Sequence, residues 1–171
     1  DPYASVWSFA DELNADVPRH WTGKEQALLG VVDVDGVSYR FMGKETPEEG
    51  ASVRFATAAR QLSVNVLPTQ TYYTFECGPV LLDVVFTAPL LLDDLDRMSM
   101  PVNYISWQVR SADQKKHEVR VSVEAFSSLA VNTEDQAVMV EREVENGISY
   151  LKTGTAEQAV LLRKGDDVRI D

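Results

Sequence analysis

Apolar and polar residues alternate with a period of two along much of this chain. From His117 to Phe126 the row HEVRVSVEAF sets Val119, Val121, Val123 and Ala125 against Glu118, Arg120, Ser122 and Glu124, the pattern of a strand buried on one face. Leu62, Val64 and Val66 alternate with Ser63 and Asn65 in the same way. Val102 to Arg110 predicts a third strand, although adjacent Tyr104 and Ile105 shift its phase, which a bulge or burial on both faces would absorb.

Turn chemistry divides these runs. Asp35-Gly36 separates VVDV from VSYRF, and Asn146-Gly147 separates VMVEREVE from ISYLK; both dipeptides tolerate the positive φ values of tight hairpins. Cys77-Gly78-Pro79 lies between TYYTFE and VLLDVVF, and Ser111 to Lys116 lies between ISWQVR and HEVRVSVEAF. Each is read as an antiparallel connection. Helical periodicity is nearly absent; the alanine-rich stretch from Glu48 to Arg60 would suit a short helix or a loop. About ten short, closely spaced strands predict an all-β, antiparallel β-sandwich.

The first 24 residues break the pattern, carrying Trp7, Phe9 and Trp21 among charges and turn formers. They are read as an irregular N-terminal arm, so residues 1–50 are taken as arm plus first hairpin and residues 51–171 as the sandwich. At the far end Val168 to Ile170 begins another alternating run that stops at Asp171, so the sandwich is expected to be incomplete there. Asp1 follows neither a methionine nor a basic-then-apolar leader, as either a removed signal peptide or an internal start would give.

Composition narrows the function classes. Sixteen Lys and Arg against 27 Asp and Glu leave a formal charge of −11, which repels a phosphate backbone and argues against nucleic acid as partner. The longest apolar run, Val80 to Leu92, is broken by Asp83 and Pro89 and falls short of the roughly 20 residues that span a bilayer. With one cysteine, Cys77, there is neither an intrachain disulfide nor a Cys-based zinc site.

Little chemistry stands out. Asp93, Asp94 and Asp96 are the densest carboxylate group, but DDLD lacks the spacing and downstream Glu of a calcium loop, and short Asp side chains favour turns. No metal or cofactor is assigned; these three are the nearest approach to a metal site. Arg19, His20 and Trp21, with Trp7, offer aromatic and polar groups on loops, a combination that suits a sugar or other small ligand. The plainer alternative has the indoles plugging the sandwich edge while Arg19 pairs with a carboxylate. His117, after Lys115 and Lys116, is read as solvated. Nothing near Cys77 lowers its pKa, and no G-x-S-x-G elbow, P-loop or H-E-x-x-H occurs, so no catalytic residue is assigned.

The motifs SVWSFADEL, RHWTGK, GVSYRFMG, LPTQTYYTFECG, DVVFTAPLLLDDLD, PVNYISWQVRS and GTAEQAVLLRKGDDVRID together resemble the N-terminal region of the glutaminase A family of fungi and Bacteroides-type bacteria. The resemblance spans almost the whole chain in order. It implies a non-catalytic β-sandwich beside a C-terminal helical toroid, in a secreted or periplasmic hydrolase that converts glutamine and water to glutamate and ammonia. It carries over no catalytic residue, because none of these motifs has one attached. A sandwich followed by a toroid is also similar to several glycoside hydrolases, by analogy of architecture alone. Two other expectations stand beside it: a carbohydrate- or small-ligand-binding module using Trp7, Arg19, His20 and Trp21, and an oligomer formed by pairing of open sheet edges.

Overall fold

Three tight turns fold the alternating runs back on themselves. Asp35 (φ 49°) with Gly36 (φ 86°), and Asn146 (φ 51°) with Gly147 (φ 79°), hold the paired left-handed conformations of type I′ hairpins. At the third, Gly78 has φ 60° and Pro79 follows with its ring-fixed negative φ, the order used by a type II′ turn. The computed structural model describes residues 5–44, 56–131, 133 and 135–157. Among these, the strands are β1 (Leu28–Val34), β2 (Val37–Met42), β3 (Thr57–Ala58), β4 (Arg60–Val66), β5 (Gln70–Cys77), β6 (Val80–Thr87), β7 (Tyr104–Ser111), β8 (Val119–Ala125), β9 (Val138–Glu145) and β10 (Ile148–Thr155). One short helix, α1 (Leu95–Met98), and a 3-10 turn at Ser127–Ala130 complete the described elements.

The strands form two four-stranded sheets, in the orders β3-β2-β1-β8 and β4-β5-β6-β7, and a separate β9-β10 ribbon. All pairings are antiparallel except the short β2-β3 contact. The fold is therefore an all-β sandwich. Its core joins Val32, Val34 and Phe41 of the first sheet to Tyr73, Phe75, Cys77, Val80, Leu82 and Val84 of the second. Phe75 sits with its ring 5.9 Å from those of both Phe41 and Tyr73. Gly30 makes room for Phe41, since a Cβ there would come within 2.5 Å of the Phe41 ring. Because β1 lies between β2 and β8, residues 1–50 and 51–171 contribute strands to one sheet.

Asp83 shows why a charge is tolerated within the apolar run Val80 to Leu92. It alternates to the outer face, where its carboxylate accepts from Thr74 Oγ1 at 2.8 Å and from Arg110 Nε at 2.9 Å. That face is wet, and the guanidinium holds the Asp83 carboxyl below its usual range.

Several expectations need correction. The Ser111 to Lys116 segment is not an antiparallel connection within one sheet: β7 and β8 belong to different sheets, so it crosses between the layers. The phase shift at Tyr104-Ile105 needs neither a bulge nor double burial, because the β6-β7 register is unbroken and Tyr104 simply points its ring to solvent. The described end of the 48–60 stretch is extended, as β3 and the first residue of β4; positions 48–55, like Val168 to Asp171, lie outside the described residues.

Candidate functional site

The N-terminal arm is held to both sheets by backbone-directed bonds rather than by its aromatic residues. Asn14 Nδ2 donates to the carbonyls of Arg40 at 3.0 Å and Ala59 at 2.8 Å, while Arg40 Nη1 donates to the Asn14 carbonyl at 2.6 Å. Gln61 exchanges bonds with the arm at Leu13 N–H and the Asp11 carbonyl, both at 2.9 Å. Farther along, Trp7 and Arg19 exchange both backbone bonds, and Gly23 (φ 97°) closes a turn by donating to the His20 carbonyl.

The four residues singled out for ligand binding separate into an inner and an outer set. His20 is fully buried, its Nδ1 accepting from the Thr22 N–H at 3.2 Å and lying 2.9 Å from Thr22 Oγ1. Arg19 is bound to Asp16 and Glu25, at 3.3 and 3.1 Å. Trp7 and Trp21, by contrast, are 56% and 55% exposed, so neither plugs the sandwich. Phe9 and Val6 are open beside them in sequence. The arm thus presents indole faces to solvent on a rigid, charge-paired base.

The acidic connector performs a structural task. Asp94 caps α1, its Oδ1 accepting from the Arg97 N–H at 3.0 Å while Oδ2 lies 3.3 Å from Arg97 Nε. Asp93 and Asp96 flank that turn, and among the described residues no group of three His, Cys, Asp or Glu side chains converges as metal ligands. Cys77 is buried in the core, and burial, with the Glu76 carboxylate adding to it, pushes its thiol up to about 12. Such a thiol is inert at neutral pH.

The constellation that sequence reasoning missed is centred on His117, which is not solvated. Its Nδ1 lies 2.6 Å from Asp35 Oδ2 and its Nε2 lies 2.8 Å from Asp113 Oδ1, with the ring only 10% exposed. A neutral imidazole has a single N–H, so donation to both carboxylates requires the imidazolium. Asp113, first, and Asp35 together raise the His117 pKa. Asp113 is in turn held far below the carboxylate range, chiefly by His117 and next by the Lys115 N–H. The clamp ties the β1-β2 turn to the crossover between sheets, and Asp35 Oδ1 also accepts from the Glu118 N–H at 2.9 Å. Asp35 and His117 are 82 positions apart, and only the Asp113, His117 spacing of four was visible in one dimension. Because the two carboxylates sit at opposite ring nitrogens, the three groups cannot converge on one ion or substrate atom.

Other open ground is apolar. The register places Val64 and Val66 of β4 and Trp107 of β7 on the core-facing side of the second sheet, yet all three are exposed, Val66 at 72%. A cleft of about 500 Å³ lies beside the β9-β10 ribbon, bordered by Ala130, Met139, Glu141 and Lys152. Its one ion pair, Lys152 with Glu141 at 3.9 Å, is loose and wet. No described helix is long and apolar enough to cross a membrane.

Comparison with known proteins gives matches along most of the chain. Residues 1–53 match the family described as "Domain of unknown function (DUF4964)". The chain is 25% identical over 160 residues to Glutaminase A of Aspergillus oryzae, a match covering 88% of this chain and 22% of that relative. It thus spans about a fifth of the length of the curated relative, as expected of a region of glutaminase A-like proteins. No solved structure matches. Residues 69–171, more than half of the chain and including β5 through β10, match a second family, so the protein belongs to the family described as "Domain of unknown function (DUF5127)".

Proposed function

We propose that this chain is a non-catalytic β-sandwich domain of a larger glutaminase A-like hydrolase, and that it scaffolds a separate catalytic domain built of helices. The collinear similarity to Glutaminase A over 88% of this chain but 22% of that relative carries the reading. It is supported by the buried, high-pKa Cys77, the mutually neutralised His117 clamp and the buried His20, which leave no nucleophile and base within reach of one another among the described residues. The parent reaction would convert glutamine and water to glutamate and ammonia, in a secreted or periplasmic protein. The test is ammonia release from glutamine by the 171-residue chain and by the longer gene product. Release by the longer product alone is expected; equal specific activity in the short chain would overturn the scaffolding role.

One observation favours a second reading, a carbohydrate- or small-ligand-binding module. Trp7 and Trp21 are more than half exposed on an arm whose backbone is fixed by hydrogen bonds. Exposed indoles on a rigid base are the usual platform for sugar rings. Calorimetric titration with oligosaccharides should then give heat that Trp21→Ala abolishes; no heat from either protein removes this reading.

A further inference from the structure

The β9-β10 ribbon is the least covered part of the described fold, and its register sorts its residues into two unlike faces. Val138, Val140, Arg142 and Val144 share one face with Ser149, Leu151, Thr153 and Thr155. Met139, Glu141, Glu143 and Glu145 share the other with Ile148, Tyr150, Lys152 and Gly154, so four charged side chains lie on that face against Arg142 alone on the first. On the first face Val140, Val144 and Leu151 are 66%, 65% and 78% exposed. A two-stranded ribbon is marginal in water by itself, and a face bearing one charge opposite a face bearing four is the pattern of a sheet covered on one side.

Two occupants are physically available, and charge separates them. A second copy would bring another chain of net charge −11 against the first. Like fields oppose that encounter. A segment of the parent protein has no such obstacle. The Glutaminase A match uses 22% of that relative, so chains of this kind have ample further polypeptide to supply a cover. Covalent tethering also presents the cover at an effective concentration on the order of millimolar, so weak apolar contact suffices.

We propose that the apolar face of β9-β10, formed by Val138, Val140, Val144 and Leu151, is the docking surface for polypeptide that the parent protein carries beyond this β domain. The occupant presents an apolar ridge, while Glu141, Glu143 and Glu145 on the opposite face stay in water. The inference rests on the reading of this chain as part of a longer hydrolase.

Thiol labelling tests it, because buried Cys77 with its raised pKa is a silent background. Leu151→Cys and Glu143→Cys are each made in the 171-residue chain and in the longer gene product, and labelled with a maleimide. The expected result is Leu151→Cys labelling at least roughly 20-fold slower in the longer product, since labelling there requires local opening, with Glu143→Cys changed by less than about threefold. Equal rates for Leu151→Cys in the two proteins would overturn the proposal. So would a dimer of the 171-residue chain in which Leu151→Cys is already protected, since the occupant would then be a second copy. Ammonia release by the unlabelled longer product is measured separately: its absence alongside a protected Leu151→Cys defeats the glutaminase reading and leaves the docking surface standing.

Discussion

The β5-β6 and β9-β10 hairpins are built alike and end differently. Each joins two strands of eight residues through a two-residue turn containing glycine. In β5-β6 alternate residues, Tyr73, Phe75, Cys77, Val80, Leu82 and Val84, are buried against the first sheet. In β9-β10 every residue before Gly154 is exposed, although the same alternation runs through it. Local code therefore specifies a hairpin in both places, while burial depends on whether an opposing layer is present. The difference is one of tertiary context, and it places the stability of the described fold in the sandwich rather than in the ribbon.

The largest test of that contrast is Phe75→Ala. Phe75 is completely buried between the rings of Phe41 and Tyr73, and its loss leaves a cavity in a packed core. A cost of about 3–5 kcal/mol is expected, read as a lower urea midpoint at unchanged slope. A cost below about 1 kcal/mol would mean that the two sheets are not packed as described.

The two turns sharpen the comparison at the next level. Gly78 and Gly147 both have positive φ, at 60° and 79°. A Cβ at Gly78 would collide with the Tyr39 hydroxyl, whereas one at Gly147 meets nothing within 4 Å. Gly147→Ala therefore costs only backbone strain, roughly 1 kcal/mol, and Gly78→Ala adds the displacement of Tyr39 to a similar strain. Equal costs in a pair of denaturation curves would remove the claimed difference between a packed and an open turn.

The His117 clamp predicts a pH dependence whose sign follows from the charges. His117 has its pKa raised from 6.5, so its contribution is complete below that value and is lost as pH rises through the folded-state pKa. Asp35 and Asp113 are lowered from 3.8, so theirs is present above that value and fades as pH falls through their folded-state pKa values. The urea midpoint should therefore be highest between these limits and fall toward alkaline pH. His117→Gln should flatten the alkaline side. An unchanged profile in His117→Gln would show that the clamp does not couple the β1-β2 turn to the crossover.

What was readable in the sequence follows from the range of the forces involved. The strand at Val119–Ala125 and the Asp35-Gly36 and Asn146-Gly147 hairpins rest on neighbours within a few positions, and each was legible. The crossover from β7 to β8 reads in sequence as an antiparallel connection, because a turn-like composition does not reveal which sheet the next strand will join. Exposure was illegible for the same reason: Val64, Val66 and Trp107 occupy core-facing positions without a described layer above them. The arm was recognised from its lost alternation. That its histidine would be buried and its indoles open depended on bonds from Asn14 and Gln61 to distant backbone. The His117 clamp was invisible, since no periodicity connects residues from two turns that meet only in the folded chain.

The smallest effect is expected from Leu151→Ala, and its size matters because it is small. Truncating a leucine in a packed core typically costs 2–5 kcal/mol, as Phe75 should on its larger scale. Leu151 is 78% exposed, opposite Arg142 on the ribbon, so its truncation in the 171-residue chain should change stability by less than about 0.5 kcal/mol. A cost approaching that of a core leucine would mean that the ribbon folds back onto the sandwich, and the contrast between the two hairpins would collapse. A near-zero cost in this chain, together with a clear loss in the longer gene product, would locate the missing layer outside the sandwich. The same substitution would then separate what this sequence stabilises by itself from what it holds ready for another part of the protein.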